Sequence, residues 1–338
     1  TDIWRKTTPC GGLPSWSCWP MAAGWLCQHL WQHFAYTGDK DFLEKRAYPI
    51  MEDAARFLLG FLTKDEEGYL STAPSTSPEN SFFVDPTSAI DAQLLETFSP
   101  QNRMDTHERT SAVCKSSTMD MTLIRQVFGH CLEAAEILGQ RTDFHVKMEN
   151  ALEKLYPFKI GRHGQLQEWN EDFAECTPGM GHVSHMYGLY PGNMFTPDRN
   201  PELYEACRKS MMRRFIHGGH RGGWPGSWAM CLFARLKENF ICGLIANSVF
   251  GRLGANMLTV RSFQIDCIYG IGAGVAEMLL QSHNGTIEVL PSLPPSWRAG
   301  RYSGFRAVGG FEVSVEWQEG KRTRATVISL NGTVCRLK

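Results

Sequence analysis

The feature of this sequence that most constrains its fold is a change in hydrophobic periodicity near residue 282. Before that point, apolar residues recur at every third or fourth position in one segment after another, whereas residues 311–317 alternate between apolar and polar. The first spacing is typical of amphipathic helices and the second of half-buried strands. The sequence therefore predicts a mainly α-helical domain over 1–282 and a small antiparallel β domain over 283–338.

The helical domain divides into segments with recognisable ends. Gly38 and Gly139 stand where left-handed C-terminal caps are expected, and Asn200 before Pro201 predicts an N-cap and a first helical residue. Paired helices without a strict repeat favour an α/α toroid over a solenoid, with an irregular helical bundle as the alternative. The predicted helices cover residues 21–34, 43–61, 119–138, 142–155, 201–214, 226–250 and 271–282.

Charge and composition exclude some classes of partner. The chain has 34 Lys and Arg against 35 Asp and Glu, a formal net charge of -1, so no strong field attracts nucleic acid or an anionic membrane. No apolar run approaches the roughly 18 residues that a membrane span needs. A neutral partner is expected. The sequence leaves oligomeric state open, and the eleven cysteines do not fix a disulfide pairing.

Three long connections interrupt the helical pattern, over residues 63–80, 158–200 and 252–266. Connections of this length inside a compact domain are usually functional or disordered. These are too aromatic and too rich in glycine for disorder, so the chemistry is expected there.

The middle connection carries three acids beside an indole: Glu168, Trp169, Glu171 and Asp172. Mutual repulsion and a low local dielectric predict that the pKa of one carboxyl is raised toward the range useful to a general acid, and Glu168 is the candidate. The alternative is a helix N-terminus, where Glu171 and Asp172 are favoured by the helix dipole.

The same connection continues with His182 and His185, downstream of Cys176. Their spacing matches no common zinc pattern, so we predict sugar-contacting or buried, hydrogen-bonded histidines and no metal. In the first connection, the hydroxyls of residues 71–80 and the Glu79 carboxylate are candidates for binding a polyhydroxylated ligand, although a simple turn-rich loop has the same composition. Trp169 and nearby tyrosines offer flat faces for sugar rings.

Taken together and in order, these segments resemble glycoside hydrolase family 95, a family of α-L-fucosidases. The resemblance covers nearly the whole chain. Its stretches are WPM (19–21), WLCQHLW (25–31), TAPSTSPEN (72–80), TMDM (118–121), GQLQEW (164–169), HVSH (182–185), YGLYPG (187–192), FQID (263–266) and AEMLLQSH (276–283).

This resemblance implies an (α/α)6 barrel and release of terminal α-linked L-fucose from glycans with inversion, with no cofactor. It makes Glu168 the general acid and Asp266 the carboxylate of the base machinery. Inverting hydrolysis needs two carboxyl groups about 6.5–9.5 Å apart. Besides this catalytic pair, the expected substrate-binding residues are Glu79, Trp169, His182 and His185. A secreted protein is expected, with weak support from two N-glycosylation triplets that begin at Asn284 and Asn331.

Two departures from the resembled family shape these expectations. The family's leading β domain, first barrel helices and water-orienting Asn-x-Asn motif are expected upstream of Thr1, which leaves the barrel incomplete at its N-terminal side. The family's glycine after the aspartate is replaced by Cys267, which would displace the Asp266 carboxylate if that residue needs a positive φ. The alternatives are an α-L-galactosidase of the same family and a catalytically impaired, truncated remnant.

Overall fold

The structure is a computed structural model that describes residues 19–84, 110–256, 258–259 and 264–338. The chain forms two compact units. The first comprises the residues up to Cys27 together with Ile50–Gly188, and the second comprises Gln28–Pro49 and Leu189–Lys338. Helices make up most of the regular structure, which confirms the mainly α-helical prediction.

Eight helices are found in the described ranges, and the strands are mostly short. The helices are α1 (Ala22–Thr37), α2 (Lys40–Phe42, a π-helical turn at Leu43–Ala47, and Tyr48–Phe61), α3 (Thr118–Leu138), α4 (Asp143–Leu152), α5 (Pro201–Ile216), α6 (Trp224–Arg235), α7 (Asn239–Phe250) and α8 (Ile265–Leu279). The strands are β1 (Thr63–Lys64), β2 (Leu70–Ser71), β3 (Ser75–Thr76), β4 (Phe82–Phe83), β5 (Thr110–Ser111), β6 (Val113–Cys114), β7 (Ala174–Glu175), β8 (Leu280–Gln281), β9 (Glu288–Val289), β10 (Gly300–Ala307), β11 (Phe311–Gln318) and β12 (Lys321–Ser329).

The predicted glycine caps are confirmed. Gly38 follows α1 with φ +68° and Gly139 follows α3 with φ +66°, the left-handed conformation that glycine adopts without steric cost. Helix α5 begins at Pro201 as predicted, but Asn200 does not cap it through its side chain. The Asn200 amide instead donates to the Met194 carbonyl at 2.9 Å.

Two predicted helices have different limits. The segment 226–250 forms two helices, α6 and α7, because Lys237 between them has φ +62° and interrupts the α-helical conformation. No glycine or proline marks this break. The last predicted helix begins at Ile265 rather than at residue 271, and it ends at Leu279 because the next two residues pair with β9 as strand β8.

The core of the first unit is built around α3. Leu123, Ile124 and Phe128 on this helix are fully buried. Strand β3 pairs with β6, and β4 lies between β5 and β7, so these short ladders fix the connections on either side of α3. Within the described ranges, none of the helices combines the length and the apolar character that crossing a membrane requires.

In the second unit, glycines allow α6 and α8 to approach closely. A Cβ atom at Gly270 would lie 2.5 Å from the Ser227 hydroxyl oxygen, and one at Gly274 would lie 2.8 Å from the Met230 Cβ. Real Cβ atoms do not make contacts that short, so glycine is required at both places. Helix packing therefore explains the glycines at positions 270 and 274 of α8.

A buried ion pair joins the same two helices. The Arg235 guanidinium in α6 donates to both carboxylate oxygens of Glu277 in α8, at 2.5 and 3.0 Å. Arg235 also donates to the carbonyls of Leu189 and Gly192. These carbonyls accept from guanidinium N–H groups that would be costly to bury without a hydrogen-bond partner.

The last three strands form an antiparallel sheet in the order β10-β11-β12. Phe311, Val313, Val315 and Trp317 on β11 are buried while the residues between them are more exposed, which confirms the predicted alternation. The Asn331 amide after β12 donates to the Thr37 carbonyl at 2.7 Å, at the end of α1.

The contact between α6 and α8 predicts a difference between two glycine variants. Gly274→Ala should lower the free energy of unfolding by about 1–3 kcal/mol, because the new methyl group overlaps the Met230 Cβ. Gly272 has no atom within 4 Å of the corresponding position, so Gly272→Ala should raise stability by about 0.5–1 kcal/mol through helix propensity. Urea unfolding followed by circular dichroism measures both values. Equal stability of the two variants would contradict the packing described here.

Candidate active site

The Glu168 carboxyl is buried and bound by side chains from the first long connection. The Ser77 hydroxyl donates to Glu168 Oε1 at 2.5 Å, and the Asn80 amide lies 2.9 Å from Oε1 and 3.0 Å from Oε2. His185 Nδ1 lies 3.5 Å from Oε2. A carboxyl group in such a position is costly unless it is hydrogen-bonded, and these donors meet that need.

The backbone at Glu168 is held by the first turn of α3. The Thr118 amide donates to the Glu168 carbonyl at 3.0 Å, and the Thr118 hydroxyl donates to the Gln167 carbonyl at 2.6 Å. On the other side, the Trp169 ring lies 5.0 Å from the Phe82 ring of β4, centroid to centroid. Both the main chain and the aromatic neighbour of Glu168 are therefore fixed.

A second carboxylate, Asp120, lies fully buried in the first turn of α3. It accepts hydrogen bonds from the hydroxyls of Thr72 at 2.9 Å and Ser75 at 2.7 Å, and from the Trp19 indole at 3.3 Å. Burial raises the pKa of Asp120 to about 6, although the hydrogen bonds from Ser75 and Thr72 act in the opposite direction.

Sequence reasoning does not single out Asp120 as a site residue. The sequence signal that could identify it is an acid between two methionines at the start of a predicted helix, in the stretch 118–121. The hydroxyls of residues 71–80 are candidates for binding a polyhydroxylated ligand, but those of Thr72, Ser75 and Ser77 donate to the protein's own carboxyl groups.

Glu79 and His182 form a more open pair at this site. Glu79 Oε2 lies 2.9 Å from His182 Nε2, and the side chains are 44% and 24% exposed. Glu79 has φ +59°, an uncommon conformation for a residue with a side chain. Burial lowers the pKa of His182, whereas Glu79 and Glu168 act to raise it.

The predicted repulsion among three neighbouring acids is relieved by separate partners. Burial acts to raise the pKa of Asp172, but hydrogen bonds from Arg162 and the Arg162 charge outweigh it and hold that pKa below its ordinary value. Glu171 accepts from the Asn170 amide at 3.3 Å. The alternative of a helix N-terminus is wrong, because residues 168–171 form bends and the two residues after them are not helical.

The structure corrects the expectation of a flat, open face at Trp169. The side chain is 3% exposed and packs against Phe82, which leaves little ring surface for a sugar. Its indole N–H has no hydrogen-bond partner among the described residues. His185 is also buried, as one of the two predicted alternatives requires.

Asp266 belongs to the second unit and lies in the first turn of α8, where it is exposed. It is therefore part of a helix and not the end of a loop. Cys267 has α-helical conformation, so the displacement expected from a positive φ does not arise. Phe263 lies outside the described residues. The pairing of Asp266 with Glu168 stays a prediction.

Across the described part of the chain, no three His, Cys, Asp or Glu side chains converge as a possible metal-ligand group. Glu168, His185, Glu79 and His182 do lie in one region of the first unit, with Trp169 beside them. Chemically, this region offers a buried carboxyl with fixed geometry next to a partly exposed carboxylate and imidazole.

Comparison with known proteins gives two related glycosidases. The chain is 38% identical over 335 residues to "Alpha-L-fucosidase 2" of Arabidopsis thaliana, an alignment that covers 95% of this chain and 37% of that protein. It is 27% identical over 331 residues to "Probable alpha-fucosidase A" of Aspergillus niger, covering 91% of this chain and 38% of that protein. The chain thus spans less than two fifths of the length of either relative.

Among solved structures, the fold is similar to that of "Putative kojibiose phosphorylase from human microbiome", with a TM-score of 0.55 and 10% sequence identity. That match covers 96% of this chain and 52% of the other, and it concerns the fold alone. Two family models match consecutive parts of the sequence: "Glycosyl hydrolase family 95 catalytic domain" over residues 1–279 and "Glycoside hydrolase family 95, C-terminal domain" over 281–338. Because these two models together account for almost every residue, the chain belongs to glycoside hydrolase family 95.

Proposed function

We propose that the protein releases terminal α-linked L-fucose from fucosylated oligosaccharides and glycans by inverting hydrolysis. Membership of family 95 and the names of both relatives support this reaction and substrate class. The observation that carries the proposal is the Glu168 carboxyl, buried and held by Ser77 and Asn80 beside His185.

In the proposed reaction, Glu168 protonates the glycosidic oxygen as the bond to the leaving group breaks. A general acid must meet that oxygen in one orientation, and the donors at both of its carboxylate oxygens hold the group in place before substrate arrives. Fixing the carboxyl in advance removes part of the entropic cost of the step.

Asp266 is proposed as the carboxylate of the base machinery, which helps a water molecule to attack the anomeric carbon from the opposite face. Its place in the first turn of α8 supports this role, because an ionised acid is favoured at the positive end of the helix dipole. The proposal includes an (α/α)6 barrel as the scaffold. The family assignment and the fold likeness to a solved structure support it.

Glu79 and His182 are proposed to bind sugar hydroxyls, with His185 behind them. Their partial exposure next to Glu168 supports this, because a ligand beside the acid would meet a carboxylate acceptor and an imidazole at the same edge. Secretion is also part of the proposal, supported by the two N-glycosylation triplets at Asn284 and Asn331.

The acid role predicts a loss that depends on the leaving group. Glu168→Gln should lower kcat/KM on a fucosyl oligosaccharide by roughly 10²–10⁴-fold, because the departing sugar oxygen needs a proton. On 2,4-dinitrophenyl α-L-fucoside, whose phenolate leaves unprotonated, the loss should be much smaller. Initial rates on the two substrates measure the difference.

Exposed Glu171, three residues away, provides the control. Glu171→Gln should keep the parent rate on both substrates. Equal losses for Glu168→Gln on both substrates would contradict the acid assignment. Parallel rates on the matching α-L-galactoside test that alternative specificity.

Sugar binding by Glu79 predicts an effect on KM. Glu79→Gln should raise KM for aryl fucosides roughly tenfold with a smaller change in kcat, because it weakens one hydrogen bond to a charged group in the bound substrate. Steady-state kinetics with Glu171→Gln as the reference measure this split. An unchanged KM would remove Glu79 from the binding site.

A further inference from the structure

We propose that Asp120 is a positioning residue for Glu168: it anchors the loop that binds the Glu168 carboxyl, from the same helix turn that holds the Glu168 backbone. This inference rests on the proposed function, because it assigns Asp120 a part in placing the general acid. It concerns only residues of the first unit.

The loop over residues 72–80 is attached to the start of α3. The Asp120 carboxylate accepts from Thr72 and Ser75, one on each side of the Ala73-Pro74 bond. The Ser75 hydroxyl oxygen also accepts from the Ser117 amide at 2.9 Å, just before the helix begins. The loop is thus tied to the start of α3 by two side chains that converge on a single acid.

The same loop is also attached to the Glu168 carboxyl. Two residues after Ser75, Ser77 binds Glu168 Oε1, and Asn80 binds both carboxylate oxygens. Ser77 and Asn80 are both buried, so each has a defined position relative to the anchored segment. A shift of the segment at Ser75 is therefore passed directly to the donors of the acid.

The main chain at Glu168 is held separately, by the first turn of α3. Thr118, two residues before Asp120, holds the main chain at Gln167 and Glu168 through its amide and its hydroxyl. One helix turn therefore fixes Glu168 twice, at its backbone through Thr118 and at its carboxyl through Asp120 and the loop. Helix α3 is itself set in the core, so this turn is a rigid support.

The choice of residue also fits positioning better than stability. A fully buried acid is a poor means of stabilising a core, because an apolar side chain of the same volume is often as good or better. The carboxylate instead provides two acceptor oxygens that receive Thr72, Ser75 and Trp19. Convergent acceptance of several donors orders a loop in a way that an apolar contact does not.

The test compares two substrates on the purified protein and its variants. Asp120→Asn removes one strong acceptor while keeping the size of the side chain. If Asp120 acts through Glu168, kcat on a fucosyl oligosaccharide should fall roughly tenfold or more, with a much smaller loss on 2,4-dinitrophenyl α-L-fucoside and little change in KM. A purely structural role would lower both rates by the same factor.

Thr72→Val supplies a second variant that does not alter the acid itself. It replaces one hydroxyl donor to Asp120 by a methyl group of similar size, so it should show the same substrate-dependent loss at a smaller size, roughly threefold to tenfold. Thr72→Ser, which retains the hydroxyl, should restore the oligosaccharide rate. If Asp120→Asn does not fold, as judged by thermal unfolding, the comparison of Thr72→Val with Thr72→Ser tests the positioning role.

Asp65→Asn is the matched control. Asp65 also accepts from a nearby serine hydroxyl, that of Ser71 at 2.8 Å, but it has no contact with the donors of Glu168 in the described structure. It should leave the ratio of the two rates unchanged. A ratio changed equally by Asp65→Asn and Asp120→Asn would overturn the positioning role.

The outcomes separate the two proposals. In one outcome, the protein releases fucose and Glu168→Gln shows a substrate-dependent loss, but Asp120→Asn and Thr72→Val do not. This outcome overturns the role of Asp120 and supports the proposed function. Absence of hydrolysis by the parent protein on either fucoside overturns both. Substrate-dependent losses for all three variants support both.

Discussion

The first unit depends on the burial of two acids at one helix turn. Asp120 lies in the first turn of α3, and Thr118 in that turn is hydrogen-bonded to the main chain at Glu168. Glu168 and Asp120 both have little or no contact with solvent, and each must find donors inside the protein. Most of those donors come from one loop, over residues 72–80. The need to satisfy two carboxyl groups at once leaves that loop few conformations. The pairing of β3 with β6 restrains it further.

The second unit solves a related problem with an ion pair instead of hydroxyl groups. Arg235 and Glu277 are held between α6 and α8, where glycines bring the two helices together. Close backbone approach shortens the reach between the charged groups, and the carbonyls of Leu189 and Gly192 occupy a remaining donor of Arg235. Packing and charge satisfaction therefore support each other in this unit, because a buried ion pair is favourable only with good geometry and further hydrogen bonds.

Local signals predicted much of this architecture from the sequence. The helix ends at Gly38 and Gly139 are predictable because glycine adopts a positive φ without steric cost. The alternation along β11 is predictable because one face of the strand is buried. The break at Lys237 carried no such signal, since a lysine there adopts a conformation that is normally left to glycine. Glu168 was identifiable from its neighbours in sequence. Asp120 was not, because its partners Thr72 and Ser75 are more than forty residues away.

The bond from Asn331 to the Thr37 carbonyl joins residues 294 positions apart, and the Gly309 amide likewise donates to Ala35 at the end of α1. Contacts between such distant positions are costly to close and form late in folding. During translation, the end of α1 cannot contact Asn331 until β12 has been made, on the order of 15–60 s later at about 5–20 residues per second. For that period, the end of α1 lacks the hydrogen bond that Asn331 provides.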